Sequence, residues 1–241
     1  MRPLLALHCA LASGGAWRRV FAALPEVRGI APDLPGHGQA AEAQGPMMDA
    51  ALARVHAAAP EGPLDVVGHS YGAVVALALA VEDPARIRSL TLIEPVLFAA
   101  HPEALAWSRT AMAPFAEALA RGDRATAAAH FNGLWGMGDW AALPSPVRRY
   151  ITDRIHLIAA TRDELERDRH GLLPRLSAGF APLLVTRRDP PLPILRIAEG
   201  LADRMPDVRR IEIEAGQDHM LPMSAPQAVA GILQAEMARG R

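Results

Sequence analysis

The chain has 241 residues, enough for one α/β domain with an insertion, and 51% of them are apolar, enough for a full core. A formal net charge of −1 gives no reason to expect nucleic acid or an anionic membrane as partner. All 25 basic residues are arginine, which excludes Schiff-base, P-loop-lysine and Ser-Lys chemistry.

The first apolar segment has two readings. Arg2, the run Leu4 to Leu11 and the small residues of Ala10-Leu11-Ala12 resemble a short secretory leader. The alternative is a first β-strand over 3–8, preferred because cleavage would delete a strand that the sheet needs. The lone cysteine, Cys9, excludes an intrachain disulfide and fits a reducing compartment, so a cytoplasmic protein is expected.

Further strands are expected near 27–32, 64–69, 89–94, 182–187 and 208–213, and helices near 14–24, 47–59, 71–82, 192–204 and 225–238. This alternation predicts an α/β fold: a doubly wound, mainly parallel sheet of about six strands with helices on both faces. The longest apolar run, Ala73 to Val81, is too short to cross a bilayer.

Residues 96–180 break the alternation. They are read as a helical cap inserted between two parts of the core, 1–95 and 181–241, and lying over the carboxyl ends of the strands. Trp107, Ala111, Phe115 and Leu119 recur every four residues, which predicts one apolar helix face. Phe131, Trp135, Met137 and Trp140 follow. Most such aromatics serve cores, but some are expected to line an apolar pocket, with Phe98, Trp107, Phe131, Trp135 and Trp140 as candidates.

The chemistry centres on Gly68-His69-Ser70-Tyr71-Gly72, a G-x-S-x-G pattern between the β-branched run Leu64 to Val67 and the helix former that begins at Ala73. A serine on so tight a turn is pushed into a strained, exposed position, and the helix start aims its free N–H groups at any oxyanion formed there. Ser70 is the candidate nucleophile. It needs a base, and His219 follows the last strand and precedes the last helix, at the same end of the sheet as the turn. The other histidines have duller readings: His69 packing or bonding locally within the turn, His37 supporting the pocket floor, His8 ending a strand. None of the nine stands at a metal-ligand spacing, so neither metal nor cofactor is indicated.

Two carboxylates compete to orient His219. Glu94 ends a strand in an apolar context, where an unpaired carboxylate is costly and so needs a partner. Asp189 follows Arg187-Arg188 and has an ordinary reading as a solvated ion pair. Glu94 is preferred and Asp189 is the alternative. The expected oxyanion donors are the N–H groups of Tyr71 and of Ala10, with Cys9 as a further candidate.

Together these residues resemble the α/β-hydrolase superfamily in its capped, serine-hydrolase branch. His8-Cys9-Ala10 is similar to the family's His-Gly-x oxyanion loop, with cysteine in place of glycine. Asp33 to Gly38 resembles the D-x-P-G-x-G loop, Gly68 to Gly72 the nucleophile elbow, and Gly216 to His219 the base loop. Two departures stand out. The chain starts at the His-Gly-x strand, so six parallel strands are expected without the usual antiparallel one. The usual G-x-x-D reads Arg187-Arg188-Asp189-Pro190, with the aspartate one residue out of register. Some members, haloalkane dehalogenases among them, place a glutamate after the earlier strand, and Ile93-Glu94-Pro95 is similar. Those enzymes use an aspartate nucleophile, so Ser70 argues against dehalogenase or epoxide hydrolase activity. The resemblance implies hydrolysis of a small or medium carboxylic ester, thioester or lactone, with a small-molecule substrate as partner and the oligomeric state open. The alternatives are carbon–carbon bond hydrolysis or lyase chemistry with the same residues, and a non-catalytic small-molecule receptor.

Overall fold

The computed structural model describes residues 1–136, 138–177, 181–214 and 218–239. The strands are β1 (Arg2–Leu7), β2 (Val27–Ile30), β3 (Leu64–His69), β4 (Ile87–Ile93), β5 (Leu183–Arg187) and β6 (Arg209–Ile213), and they form one sheet in the order β2-β1-β3-β4-β5-β6. Every neighbouring pair is parallel. The leader-like segment is thus an interior strand, and Arg2 at its start pairs with the buried Asp65 of β3 (Nη2–Oδ1 2.8 Å).

Alternate side chains of the strands enter two cores. Leu5, Leu7, Val66, Leu92 and Leu184 face α2 (Met47–Ala58), α3 (Tyr71–Glu82) and α9 (Leu192–Ala202). Leu4, Ala6, Val67, Ile93 and Val185 face α1 (Arg18–Ala22) and α11 (Pro226–Arg239). Helices on both faces explain why β3 is buried along its whole length rather than alternating with polar residues. They also explain α3, whose residues Tyr71 to Val81 are all buried; a helix apolar all round must be enclosed.

Between β4 and β5 the described residues hold only helices: α4 (Pro102–Ala111), α5 (Ala113–Ala120), α6 (Arg124–Trp135), α7 (Ser145–Arg154) and α8 (His156–Arg167), with short 3₁₀ turns. The face expected to run from Trp107 to Leu119 on one helix is split between α4 and α5 at Met112. Pro114 is the reason: it offers no N–H to the preceding turn and its ring crowds the carbonyl four residues back. The helix expected over 14–24 is likewise a 3₁₀ turn (Gly14–Trp17) followed by the single-turn-long α1. A short helix, α10 (Leu221–Ser224), precedes α11. Among the described residues no helix is long and apolar enough to cross a membrane.

After β2 the chain crosses β1 to reach β3, so the strand order reverses between β1 and β3. The carboxyl ends of strands at such a switch point open a crevice that the connecting loops cannot fill.

Candidate active site

The turn after β3 is held by glycines. Ser70 has φ 57° and ψ −119°, its N–H donates to Ile93 O (2.9 Å), and its carbonyl accepts from Ala73 N (3.0 Å). A Cβ on Gly68 would lie 2.2 Å from Gly72 O, and one on Gly72 would lie 2.4 Å from Leu7 O and 2.5 Å from His8 O. These are backbone atoms of the first turn of α3 and of the end of β1, which are packed together and cannot yield. Gly72→Ala is therefore expected to destabilise the fold by about 3 kcal/mol, the upper end for overpacking, read calorimetrically as a Tm drop of roughly 6–12 °C.

Positive φ recurs at the carboxyl ends of β1, β3, β4 and β5, at Leu11 (60°), Ser70 (57°), Glu94 (42°) and Asp189 (51°). Non-glycine residues hold such angles only where their surroundings over-determine them, and such positions cluster at functional sites. At β1 the loop is pinned by His8, whose Nε2 accepts from Leu34 N–H (2.9 Å), so its Nδ1–H donates to Cys9 O (2.8 Å). Cys9 is buried, and burial pushes its thiol up to about 12, so no thiolate forms there.

At β4, Glu94 is fully buried. Its Oε1 accepts from Arg187 N–H (3.0 Å) and lies 3.4 Å from Arg187 Nε. Its Oε2 lies 2.6 Å from Nδ1 of His219. A carboxylate only accepts, so Nδ1 carries the proton and Nε2 is the basic nitrogen. That Nε2 is buried with no protein hydrogen-bond partner. Of the two competing carboxylates, Glu94 is the one bonded to His219. Asp189 is exposed, because its positive-φ turn comes after the strand has left the sheet interior.

His69 does not bond locally as expected. Its Nε2–H donates to the His219 carbonyl (2.6 Å), 150 residues away, and its ring packs 4.9 Å from the His219 ring. Trp135 packs on the same imidazole at 5.0 Å. No local sequence signal marks either contact, since both partners come from distant segments.

His8, His37 and His69 all have lowered pKa values, chiefly through burial; His8 falls to about 3 and His69 lies well below the ordinary value. In the unfolded chain they protonate near pH 6.5. From there down towards pH 3 the unfolded chain binds more protons than the native one, so stability falls on acidification. We expect Tm to drop between pH 7 and pH 5, each such histidine adding up to ~1.4 kcal/mol per pH unit.

Ser70, Tyr71, Cys9, Ala10 and His219 share a narrow chamber with a cavity volume of about 70 Å³. Its other walls are mainly apolar and come from Val96 and Phe98 after β4 and from the inserted helices, including Phe131 and Trp135 of α6. Tyr71 opens α3, so its N–H has no acceptor within the helix. Trp107 and Trp140 do not line the chamber. Trp107 meets Trp135 edge-on at 5.4 Å, and Trp140 packs in the separate cluster around Phe115 and Ile158. Met137, Gly216 and Gln217 lie outside the described residues. Among the described residues no three His, Cys, Asp or Glu side chains gather as a metal site.

A parallel sheet with an apolar helical cover, a strained serine after β3 and a carboxylate-bound histidine define an α/β-fold hydrolase. The chain belongs to the alpha/beta hydrolase family, whose model matches residues 4–232. Lipase LipV of Mycobacterium tuberculosis is 28% identical to it over 97% of this chain and 92% of that protein. Among solved structures, the haloalkane dehalogenase DatA of Agrobacterium tumefaciens C58 superposes with a TM-score of 0.74 at 20% identity, over 100% of this chain and 90% of that one. An esterase from Thermogutta terrifontis does so at 0.69 and 23%, over 100% and 90%.

Proposed function

We propose that the protein is a serine hydrolase that cleaves a small or medium carboxylic ester, thioester or lactone with an apolar acyl part, through an acyl-enzyme on Ser70. The observation that carries this reading is the His219 Nδ1–Glu94 Oε2 contact of 2.6 Å, with a basic Nε2 left unpartnered beside the chamber that Ser70 lines. Ser70 Oγ attacks the acyl carbon while Nε2 takes its proton. Glu94 stabilises the imidazolium, and the N–H groups of Tyr71 and Ala10 hold the oxyanion. The imidazolium protonates the departing alcohol or thiol. A water molecule then gives its proton to Nε2 as its oxygen attacks the acyl carbon, and the acid leaves as Ser70 regains the proton.

The cavities support the substrate class. The narrow, mainly apolar chamber suits an apolar acyl chain. A more open groove, mainly apolar but with Ser13, Arg18, Asn132 and Tyr150 in its lining, adjoins it at Ala10, Phe131, Trp135 and Met220 and leaves room for the leaving group. The lipase named above, similar over nearly the full length, supports ester hydrolysis. The lone buried thiol of Cys9 is compatible with a cytoplasmic setting.

The test is incubation with a fluorophosphonate followed by intact-mass analysis, alongside a nitrophenyl ester panel. One adduct on the folded wild-type chain with ester turnover is the expected result. No adduct sinks the reading, and an adduct without turnover of any ester moves the protein to carbon–carbon hydrolase or lyase chemistry.

A further inference from the structure

One side chain stands between two cavities. On α8 the chamber that holds Ser70 is lined by Ile158, Thr161, Arg162 and Leu165. A second groove, on the outer side of α4, α5 and α8, is lined by Phe115, Leu119, Ala159, Arg162 and Glu166. Arg162 is the residue that the two linings share. The helix thus turns one face to the chamber and another to the groove, and Arg162 sits on the edge between them.

The wall at this point is polar and braced. Glu166 Oε1 accepts both from Arg162 Nε (2.7 Å) and from Ser108 Oγ (2.8 Å), which joins α8 to α4. Ser108 is fully buried, and the Arg162 and Glu166 side chains are 24% and 12% exposed. The flanking wall residues Met112, Ile158 and Leu165 are apolar. An acyl chain gains by burying methylenes along those residues. It gains nothing by pressing its end on a paired guanidinium and carboxylate, and separating that pair to pass would leave each half-buried charge without its partner.

We infer that Arg162 sets the acyl-chain length that the chamber accepts, as the plug between it and the outer groove. The inference rests on the proposed function for its place in a reaction, but not for its physical content. With the plug removed, the chamber and groove become continuous, and a chain longer than the chamber can run through. Each methylene newly buried there raises kcat/KM roughly fourfold, the factor equivalent to ~0.8 kcal/mol.

The experiment compares wild type, Arg162→Ala and Arg162→Met on nitrophenyl acetate, butyrate, hexanoate, octanoate, decanoate and laurate. Wild type should fall off before laurate, and a profile still rising at laurate overturns the inference without any variant. Arg162→Ala should move the optimum to longer chains, read as a rise in the ratio of kcat/KM on decanoate to kcat/KM on butyrate. Arg162→Met retains most of the bulk but loses the ion pair, and should shift the optimum less than Arg162→Ala does. An unmoved optimum in Arg162→Ala overturns the inference, as does an equal shift in both variants. The same comparison is made without catalysis, as the rise in Tm produced by octanoate against laurate. A protein whose stabilisation by fatty acids follows this pattern but which turns over no ester refutes the proposed function and leaves the plug standing.

Discussion

Ser70→Ala is expected to lower kcat on the best ester by about six orders of magnitude, the scale on which removal of a triad nucleophile acts. It should also abolish the fluorophosphonate adduct. The substitution removes only an oxygen, and Ser70 makes its structural contacts through its backbone N–H and carbonyl, to Ile93 and to Ala73. Tm should therefore hold, because alanine keeps those backbone bonds and the same strained turn at φ 57°. A variant that retains a tenth of wild-type kcat would remove Ser70 from the chemistry, whatever its fold.

Glu94→Gln tests the other end of the relay, and it should cost on the order of 10⁴-fold in kcat. The amide is nearly isosteric, so the space between Arg187 and His219 stays filled. What changes is the proton. A glutamine oriented to accept from Arg187 N–H presents its NH₂ to Nδ1, which then must accept, and the imidazole proton moves to Nε2, where it blocks general-base action on Ser70. Glutamine is the informative replacement because alanine would leave a buried arginine and imidazole around a hole, and loss of fold would mask loss of chemistry. Asp189→Asn, at an exposed position, should leave kcat close to wild type. Equal losses in the two variants would defeat the assignment of Glu94. Far-ultraviolet circular dichroism and Tm, measured on both, separate a proton effect from a folding effect.

The nucleophile turn was legible because its cause is local. Gly68 and Gly72 are required by contacts within a few residues and by the neighbouring β1, so their spacing around Ser70 is written in five consecutive letters. The interior strands β1, β3, β4 and β5 were legible because burial demands largely apolar runs, while the edge strands β2 and β6 are largely exposed; only strand ends moved, β4 by two residues at its start. Glu94 was legible through a cost: a carboxylate in an apolar run implies a partner, and the partner is His219.

Other features were not. The four-residue spacing from Trp107 to Leu119 is the same whether one helix carries it or two, and the decision rested with Pro114. Which aromatics reach the chamber depends on how α4, α6 and the turn after α6 are rotated against the sheet, so Phe98, Phe131 and Trp135 line it while Trp107 and Trp140 do not. His69 read as a local residue, yet its partner is His219 O. Arg162 had no motif at all; it matters because two cavities meet at it.

The amino-acid sequence by itself determined the strands and the elbow, singled out Ser70 and His219 as candidates and narrowed the acid to Glu94 or Asp189, because these follow from short-range sterics and from the free energy of burying each side chain. The tertiary structure alone decided which ring supports the imidazole, which helix faces enclose the chamber and where that chamber ends. Those depend on the relative placement of segments far apart in the chain, and side-chain periodicity carries no information about rotation of one packed element against another.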